Sequence, residues 1–379
     1  MGSTPIGPTC TRGAPELDIE TKLELIRRPP TEEVITIGEC RELLETKATP
    51  RAYDGFEPSG IPHLGTSLMK AQKTKDLTDA GIETVIFLAT WHARLNNKFG
   101  GDQTQIRLAA ENLVETWKAL MLAEGVNMSL VKFVFADDIY NGSDYWEKVL
   151  RVGGRMSFQR ALRSLTIAGR KSGDLLNLST YFYIPMQVAD IFQMGVDVCQ
   201  LGMDQRKANI LAREIGPSAG FWKPVCVHHH LITGLQGPKR MGFEEDEALD
   251  FQVSSKMSKR NPETSILATD APGVIRTKLE GAFCPPKVLA GNPVIDICRN
   301  IILRRDGNSL EIERPIRFGG PLTFWNETDL EQAFRGGLLH PLDLKEAVAT
   351  KLANLLEPVR RASITTALHP VEENLGKRN

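Results

Sequence analysis

Two polar motifs, far apart in the chain, contain residue types suited to binding phosphate groups. The first is His63-Leu64-Gly65-Thr66, which follows a turn through Pro58-Ser59-Gly60 and precedes a predicted helix with Thr66 as N-cap. A glycine lets the backbone approach a ligand closely, and the free N–H groups of a helix N-terminus favour anions. His63 can donate a hydrogen bond to a phosphate oxygen. A single His-x-Gly is more often an ordinary turn.

The second motif is Lys256-Met257-Ser258-Lys259-Arg260, which lies in a polar segment much later in the chain. Read alone, its cations indicate a solvated loop. Cations on a mobile loop can also stabilise charge that develops on phosphate groups during a reaction. The two motifs together therefore favour a site for phosphate groups.

A third cluster places polar residues in an apolar context. On a helix beginning near Pro185, Tyr183, Gln187 and Asp190 fall on one face. Isolated buried Gln or Asp residues are often structural, but several that converge at the mouth of a sheet favour a ligand site. The segment Gly202-Met203-Asp204-Gln205-Arg206-Lys207, after a short predicted strand, adds further polar groups to this cluster.

The elements that must position these residues alternate along the chain. Apolar runs predict strands at residues 52–56, 83–90, 131–135 and 196–200, and helical spacing from Ile106 to Leu120 predicts a long helix between two of them. This alternation predicts an α/β fold with a Rossmann-type, doubly wound parallel sheet. His92 follows the second strand, where a ligand crevice is expected, although a packed core histidine fits equally well.

The pattern changes after Pro262, where helices are predicted at residues 272–282, 292–303 and 342–361 with one strand at 310–316. We therefore predict a flexible tail at residues 1–15, a catalytic domain at 16–262 and a mostly helical domain at 263–379. A basic helical stretch at residues 144–172 is either a solvated face or a docking surface for a nucleic-acid backbone.

Composition excludes several classes of protein. The formal net charge of -1 over 379 residues argues against a generally basic nucleic-acid binder, so RNA contacts must come from local patches. The scattered cysteines form no C-x-x-C pair, and in His228-His229-His230 at most two side chains share a strand face, so no metal site is predicted. No apolar run approaches a membrane span and no signal-peptide core is present, which predicts a cytoplasmic protein.

Together, the first two motifs resemble the signatures His-Ile-Gly-His and Lys-Met-Ser-Lys-Ser of the class I aminoacyl-tRNA synthetases, with Thr66 and Arg260 as departures. The resemblance narrows to the tyrosyl-tRNA synthetases of the archaeal and eukaryotic-cytosolic type, from about Arg51 to Arg361. The additional matching motifs are Gly55-Phe56-Glu57-Pro58-Ser59-Gly60, Tyr183-x-x-x-Gln187-x-x-Asp190, Gly202-Met203-Asp204-Gln205-Arg206-Lys207 and His340-Pro341-Leu342-Asp343-Leu344-Lys345.

The resemblance implies a two-step ligation of L-tyrosine to its tRNA through tyrosyl-adenylate, with ATP as substrate and Mg²⁺ sharing the phosphate charge. It implies a tyrosine pocket in which Tyr53 and Asp190 hold the phenol and Phe87 lines the wall. The α-amino group and backbone of the substrate would contact Tyr183, Gln187 and Gln205. The implied ATP-binding residues are Gly55, His63, Gly65, Lys256, Ser258 and Lys259, and the implied catalytic residues are His63, Thr66, Lys256 and Lys259.

The resemblance also implies contacts with tRNA(Tyr) and a homodimer. Arg163, Arg206 and Lys207 match positions that meet the first acceptor-stem base pair. Phe318, His340 and Asp343 match positions that hold the first anticodon base, where an aromatic ring stacks and an acceptor reads a base edge. The dimer interface is expected in the helical stretch at residues 106–190.

A tryptophanyl-tRNA synthetase is disfavoured, and two rival readings remain. A tryptophanyl-tRNA synthetase shares the fold, and an Asp can accept from an indole N–H, but Tyr53 as second hydroxyl partner favours tyrosine. A cytidylyltransferase also uses a His-x-Gly turn, but it has no need of the pocket formed by Tyr53 and Asp190. A non-catalytic paralogue need not keep Lys256 and Lys259.

Overall fold

The computed structural model describes residues 17–168, 177–241 and 246–365. Within these ranges six strands form the central sheet, in the order β1-β6-β5-β2-β3-β4. The strands are β1 (Thr31–Ile35), β2 (Arg51–Phe56), β3 (Glu83–Leu88), β4 (Val131–Phe135), β5 (Val198–Gly202) and β6 (Val225–His229). The predicted flexible tail at residues 1–15 lies outside the described residues.

The sheet is parallel except at one edge, where β1 runs antiparallel to β6. From the central strand β2 the chain builds β3 and β4 outward on one side, and it then returns to place β5 and β6 on the other. The order of strands therefore reverses between β2 and β5. In an open parallel sheet a ligand crevice forms at this point, outside the carboxyl ends of the strands.

Helices cover both faces of the sheet. Those of the first half are α1 (Ile19–Arg27), α2 (Ile37–Thr46), α3 (Leu68–Asp79), α4 (Thr90–Leu95), α5 (Gln103–Ala123), α6 (Ala136–Ile139), α7 (Ser143–Gly153) and α8 (Phe158–Ser164). Those of the second half are α9 (Tyr183–Gln193), α10 (Arg206–Ser218), α11 (Glu247–Ser255), α12 (Pro272–Glu280), α13 (Pro293–Ile297), α14 (Glu327–Gly336), α15 (Pro341–Leu355) and α16 (Glu357–Thr365). The predicted Rossmann-type α/β sheet followed by a helical region is confirmed.

The helical region packs on α3 and α5 of the first part of the chain. A single apolar core joins Leu68 of α3 and Trp117 of α5 to Ile301 and Leu352 of the C-terminal part. The same contact includes a buried ion pair between Asp76 of α3 and Arg304, both with fully buried side chains. Because a buried charge is costly unless it is paired, this contact fixes the two parts against each other.

Three local predictions differ from the structure. The expected helix at residues 144–172 is divided into α7 and α8, because Gly153 and Gly154 end α7; residues 169–176 lie outside the described ranges. The expected strand at 310–316 is shortened to β7 (Leu310–Ile312), which pairs with β8 (Leu322–Phe324) as a separate hairpin. Thr66 is not a helix N-cap, because it ends a 3₁₀ turn and Ser67 precedes α3.

None of the helices in the described part of the chain combines the length and the apolar character that a membrane span requires.

Candidate active site

A cavity of about 490 Å³ opens at the carboxyl ends of β2, β3, β5 and β6. It lies at the reversal of strand order, where the fold is expected to bind a ligand. Every residue predicted to hold tyrosine, to hold ATP or to act in catalysis lines this cavity. These residues are Tyr53, Gly55, His63, Gly65, Thr66, Phe87, Tyr183, Gln187, Asp190, Gln205, Lys256, Ser258 and Lys259.

The inner end of the cavity is built around Asp190, a buried residue of α9. Its Oδ1 accepts hydrogen bonds from the hydroxyls of Tyr140, at 2.8 Å, and Tyr145, at 2.9 Å. Its Oδ2 and the buried hydroxyl of Tyr53 on β2 have no hydrogen-bond partner among the described residues. Buried polar atoms are nearly always paired, so two such atoms in one cavity indicate the place of a polar ligand group.

The charge at this end depends on Asp190 and on His92, whose Nε2 lies 3.8 Å from Asp190 Oδ2. Burial raises the pKa of Asp190 to about 8, and the two tyrosine donors oppose that effect because they stabilise the ionised carboxylate. Burial lowers the pKa of His92 to about 4, so its imidazole is neutral at physiological pH. A further hydrogen-bond donor from a ligand would therefore favour the ionised form of Asp190.

The middle of the cavity presents amide and hydroxyl groups. Gln187 Nε2 donates to Gln205 Oε1 at 3.1 Å, while the buried Oε1 of Gln187 has no partner in the described ranges. The hydroxyl of Tyr183 donates to Glu57 Oε2 at 3.1 Å, and Lys98 forms an ion pair with the same carboxylate at 3.0 Å. With its proton directed to Glu57, the Tyr183 oxygen keeps lone pairs that can accept from an ammonium group.

The turn that contains His63 is held from below by α5, because Trp117 Nε1 donates to the carbonyl oxygen of Thr66 at 2.9 Å. A side chain at Gly65 would bring a Cβ within 3.3 Å of His63 Cε1 and 3.5 Å of Ile232 Cβ, so glycine leaves the imidazole its space. The Thr66 hydroxyl closes the turn itself, since it donates to His63 O at 3.2 Å and accepts from His63 N at 3.1 Å.

His63 is neutral in this environment. Burial, reinforced by the positive charges of Lys259 and Lys256, lowers the pKa of His63 to about 3. Its Nδ1 has no hydrogen-bond partner among residues 17–168, 177–241 and 246–365. A neutral imidazole can still donate one hydrogen bond, through whichever nitrogen carries the proton.

The signature loop, residues 256–260, closes the outer end of the cavity. Its backbone is paired with residues 232–233, through Met257 N to Ile232 O at 2.6 Å and a β-bridge between Thr233 and Lys256. Lys256 Nζ forms an ion pair with Asp204 Oδ2 at 2.6 Å, and Lys259 Nζ donates to Gly60 O at 3.3 Å. Both lysines thus reach across the cavity toward the segments that carry the other motifs.

The residues predicted to contact tRNA do not line the cavity. Arg163 is exposed on α8. Lys207 Nζ donates to Thr166 Oγ1 at 3.1 Å, and Arg206 forms a bidentate pair with Glu33, at 2.8 Å from Nε and 2.9 Å from Nη2. An RNA phosphate that used the Nε and Nη2 edge of the Arg206 guanidinium would have to displace Glu33.

The three predicted anticodon contacts lie in the C-terminal part. Phe318 is 59% exposed, and His340 is the exposed N-cap of α15, with Asp343 in the first turn of that helix. Arg314 donates to Gly320 O and to Leu338 O, each at 2.6 Å, and so ties the loop after Phe318 to the turn before His340. An exposed aromatic ring and a carboxylate on segments tied in this way fit the expected unpaired base.

Sequence reasoning missed Tyr140 and Tyr145, and it named Glu57 and Asp204 only as members of motifs, without assigning them a contact. Tyr140 follows the carboxyl end of β4 closely, much as His92 follows β3, and that position was the available signal for it. Tyr145 lies beyond α6, within α7, and had no such signal. Within the described ranges no group of three or more His, Cys, Asp or Glu side chains is arranged to hold a metal ion.

Comparison with known proteins agrees with this geometry. The family model described as tRNA synthetases class I (W and Y) matches residues 45–253, and the chain belongs to this family. A tyrosine–tRNA ligase of Sulfurisphaera tokodaii is 43% identical over 347 residues, which cover 91% of this chain and 93% of that protein. A tyrosine–tRNA ligase of Thermococcus kodakarensis is 42% identical over 355 residues, covering 91% and 95%.

Solved structures give the same result. The tyrosyl-tRNA synthetase of Pyrococcus horikoshii in complex with L-tyrosine superposes with a TM-score of 0.85 at 39% identity, covering 92% of this chain and 97% of that chain. A tryptophanyl-tRNA synthetase from Aeropyrum pernix reaches a TM-score of 0.63 at 20% identity, with 86% of this chain and 82% of that chain covered. The second likeness shows a shared fold only.

Proposed function

We propose that this chain ligates L-tyrosine to tRNA(Tyr) in two ATP-dependent steps, through tyrosyl-adenylate, with release of pyrophosphate and AMP. The observation that carries the proposal is the pair of unsatisfied polar atoms at the inner end of the cavity, Asp190 Oδ2 and the Tyr53 hydroxyl. A substrate phenol would donate to Asp190 and accept from Tyr53, which satisfies both. Phenylalanine would leave both buried without partners, at the full cost of their desolvation.

The same two atoms argue against tryptophan. An indole N–H can donate to Asp190, but the indole ring has no acceptor for the Tyr53 hydroxyl. Tryptophan would therefore leave a buried O–H group without a partner. The hydroxyl of tyrosine is both a donor and an acceptor, as this pocket requires.

The first step needs no protein nucleophile, because the carboxylate of tyrosine attacks the α-phosphorus of ATP directly. The chain would contribute position and charge. Tyr183, Gln187 and Gln205 would hold the α-amino group and backbone of the substrate, while Phe87 packs against its ring. Gly55 leaves the rings of Tyr53 and Phe87 their space, since a Cβ there would lie 3.3 Å from Tyr53 Cε2 and 3.8 Å from Phe87 Cδ1.

The phosphates would lie between the His63 turn and the signature loop. There Lys256, Ser258 and Lys259 contact the pyrophosphate as it leaves, and His63 donates to a phosphate oxygen. Lys256 would exchange Asp204 for a phosphate, because the ion pair between the two is partly open to solvent and can be replaced. We propose that Mg²⁺ enters with ATP, since this ion is usually bound through substrate phosphates and water.

In the second step the terminal ribose of tRNA takes the tyrosyl group from the adenylate. We propose residues 16–262 as the catalytic domain and 263–379 as the anticodon-binding domain, with Arg163, Arg206 and Lys207 near the acceptor stem. Exposed apolar side chains support a homodimer through the helical stretch, since Leu150 is 70% and Leu178 77% exposed. We propose that the enzyme acts in the cytoplasm.

The test is ATP–pyrophosphate exchange measured with each amino acid in turn. Tyrosine should support exchange, whereas phenylalanine and tryptophan should support far less. Asp190→Ala should abolish useful exchange with tyrosine while the protein stays folded, because the phenol loses its acceptor. Faster exchange with tryptophan than with tyrosine, or an Asp190→Ala variant near wild-type activity, would contradict the proposal.

A further inference from the structure

Asp190 is held by two tyrosines to which the proposed reaction steps assign no role. Tyr140 follows α6 and Tyr145 lies in α7, and their rings stack with centroids 4.0 Å apart and an interplanar angle of 17°. Both hydroxyls donate to the same oxygen, Asp190 Oδ1. The other carboxylate oxygen is the one that has no partner in the described part of the chain.

We propose that Tyr140 and Tyr145 are positioning residues that reserve Asp190 Oδ2 for the substrate phenol and thereby determine the preference for tyrosine over phenylalanine. This inference rests on the proposed function. Two donors at Oδ1 occupy its lone pairs and fix the rotation of the carboxylate about its Cβ–Cγ bond. The rotation in turn directs Oδ2 toward the cavity. Without them either oxygen could turn toward the substrate, and neither would be held there.

The two hydroxyls also compensate the charge of Asp190. In the described ranges this carboxylate forms no ion pair with Lys or Arg, and the imidazole of His92, 3.8 Å from Oδ2, is neutral at physiological pH. The remaining titratable groups that act on it are the hydroxyls of Tyr53 and Tyr183, whose pKa values are raised by burial so that they stay protonated. Tyr140 and Tyr145 are therefore what favours the ionised form before substrate arrives.

The hydrogen bond from the substrate hydroxyl is strongest when Asp190 is ionised, because a hydrogen bond to a charged acceptor is stronger than one to a neutral acceptor. Loss of a donor at Oδ1 should raise the pKa of Asp190. As the pH is lowered, the rate of tyrosine activation would then begin to decline at a higher pH than in the wild type. Phenylalanine, which makes no bond to Asp190, should be affected much less.

The experiment compares Tyr140→Phe, Tyr145→Phe and the double variant by ATP–pyrophosphate exchange, with tyrosine and with phenylalanine, from about pH 6 to about pH 9. Each single change keeps the stacked ring and removes one hydroxyl. Because a hydrogen bond to a charged group contributes about 1.5–3 kcal/mol, we expect kcat/KM for tyrosine at neutral pH to fall about tenfold or more per variant. The acid limb of the pH profile of kcat/KM for tyrosine should move to higher pH. For phenylalanine, kcat/KM should change by no more than about twofold.

The matched control is Tyr181→Phe, which removes a hydroxyl from a half-buried tyrosine outside the cavity, packed on Phe158 at 5.0 Å between ring centroids. This control should leave kcat/KM for both substrates, and its dependence on pH, unchanged. If Tyr140→Phe and Tyr145→Phe lowered kcat/KM equally for tyrosine and phenylalanine, without a shift in the pH profile, the two tyrosines would have only a structural role. The inference would then be wrong.

The inference and the proposed function fail in different ways. If the wild-type protein gave no exchange with tyrosine, both would be overturned. If the wild type were active and tyrosine-specific but both single variants kept its selectivity and pH profile, only the inference would be overturned. A double variant that unfolds leaves the two single variants to decide.

Discussion

His230 connects three segments of the chain. Its replacement should lower the stability of the folded protein and loosen the segment that anchors the signature loop. Its Nδ1 lies 2.5 Å from Glu32 Oε1 of β1, and its Nε2 lies 2.8 Å from Asp296 Oδ1 of α13. The second oxygen of Asp296 accepts from Thr233 N at 2.8 Å, and Thr233 forms a β-bridge with Lys256. The imidazole thus anchors the segment on which the signature loop lies.

The charge state of this cluster follows from its contacts. Burial disfavours the charged imidazole, but Asp296 and Glu32 outweigh it and raise the pKa of His230 to about 10 from 6.5. In return, against the effect of burial, His230 lowers the pKa of Asp296 and that of Glu32. All three groups are therefore ionised at neutral pH in the folded protein.

The contribution of His230 to the free energy of unfolding, and the pH dependence of that contribution, follow from this pKa shift. A change in pKa from 6.5 to about 10 corresponds to about 5 kcal/mol, an upper limit for its contribution to the free energy of unfolding. Because the Glu32 side chain is 30% exposed, solvent screening reduces the expected value to about 2–3 kcal/mol. The folded-state pKa is the raised one, so this stability is fully present below about pH 6.5 and is lost as the pH rises through about 10.

The assay is urea unfolding of wild type and His230→Gln at a fixed protein concentration, at about pH 6, 8 and 10. We expect the variant to be less stable by about 2–3 kcal/mol at about pH 6, with the difference declining toward zero at about pH 10. Asp296→Asn alone, and combined with His230→Gln, gives the coupling between the two groups, which should exceed about 1 kcal/mol at the lower pH. A gap between wild type and His230→Gln that did not change with pH would refute this account of the cluster.

Two further predictions concern the formation of the adenylate and the recognition of the anticodon. Lys256→Ala and Lys259→Ala should each lower the rate of adenylate formation with little change in tyrosine affinity, the pattern of lost transition-state contacts; a variant that mainly weakened tyrosine binding would contradict the placement of the loop. Asp343→Ala should leave ATP–pyrophosphate exchange unchanged and reduce discrimination against tRNA with a replaced first anticodon base by about 1–3 kcal/mol. Equal discrimination by wild type and Asp343→Ala would rule out its role in reading the anticodon.

Much of the fold can be predicted from local sequence. Buried parallel strands are near-continuous apolar runs, and β3 was recognisable as such; β4 is only partly buried at the sheet edge, but its sequence is still mostly apolar. The helical spacing of Ile106, Leu113, Trp117 and Leu120 predicted α5, whose buried face consists of these residues among others. Site residues at the carboxyl ends of strands followed from the fold class, since a doubly wound sheet binds ligands there.

The missed elements lack such local signals. In β1 the sequence is Thr-Glu-Glu-Val-Ile, which shows no apolar run, and this strand is held at the sheet edge by antiparallel pairing with β6. Helix α11 lies in a polar segment and has no apolar stripe; its N-terminus is capped by Asp246, which accepts from Leu249 N. For β1 a tertiary contact, which is not encoded in a short window, decides the conformation, whereas for α11 the Asp246 cap is a local signal that no apolar period accompanies.

Partners of the site residues were equally hard to predict, because they come from distant parts of the chain. Tyr145 of α7 and Tyr140, which precedes that helix, reach Asp190 because α7 packs on α9. Arg206 was expected to be available to tRNA, yet it is paired with Glu33 on the edge strand that the sequence did not reveal. A strand missed in the sequence thus hid the partner of a predicted binding residue.

The two ends of the cavity differ in how much they must change when substrates bind. At the inner end, Asp190 Oδ2 and the Tyr53 hydroxyl are buried and unsatisfied in the described structure, so tyrosine enters a site already formed around it. At the outer end, Lys256 is bound to Asp204 and must exchange this partner for a phosphate. Amino-acid selectivity should therefore be determined by a buried pocket that is already formed, whereas the rate of adenylate formation should depend on rearrangement of the signature loop. This separation is why changes at Asp190 should alter substrate preference and changes at Lys256 should alter turnover.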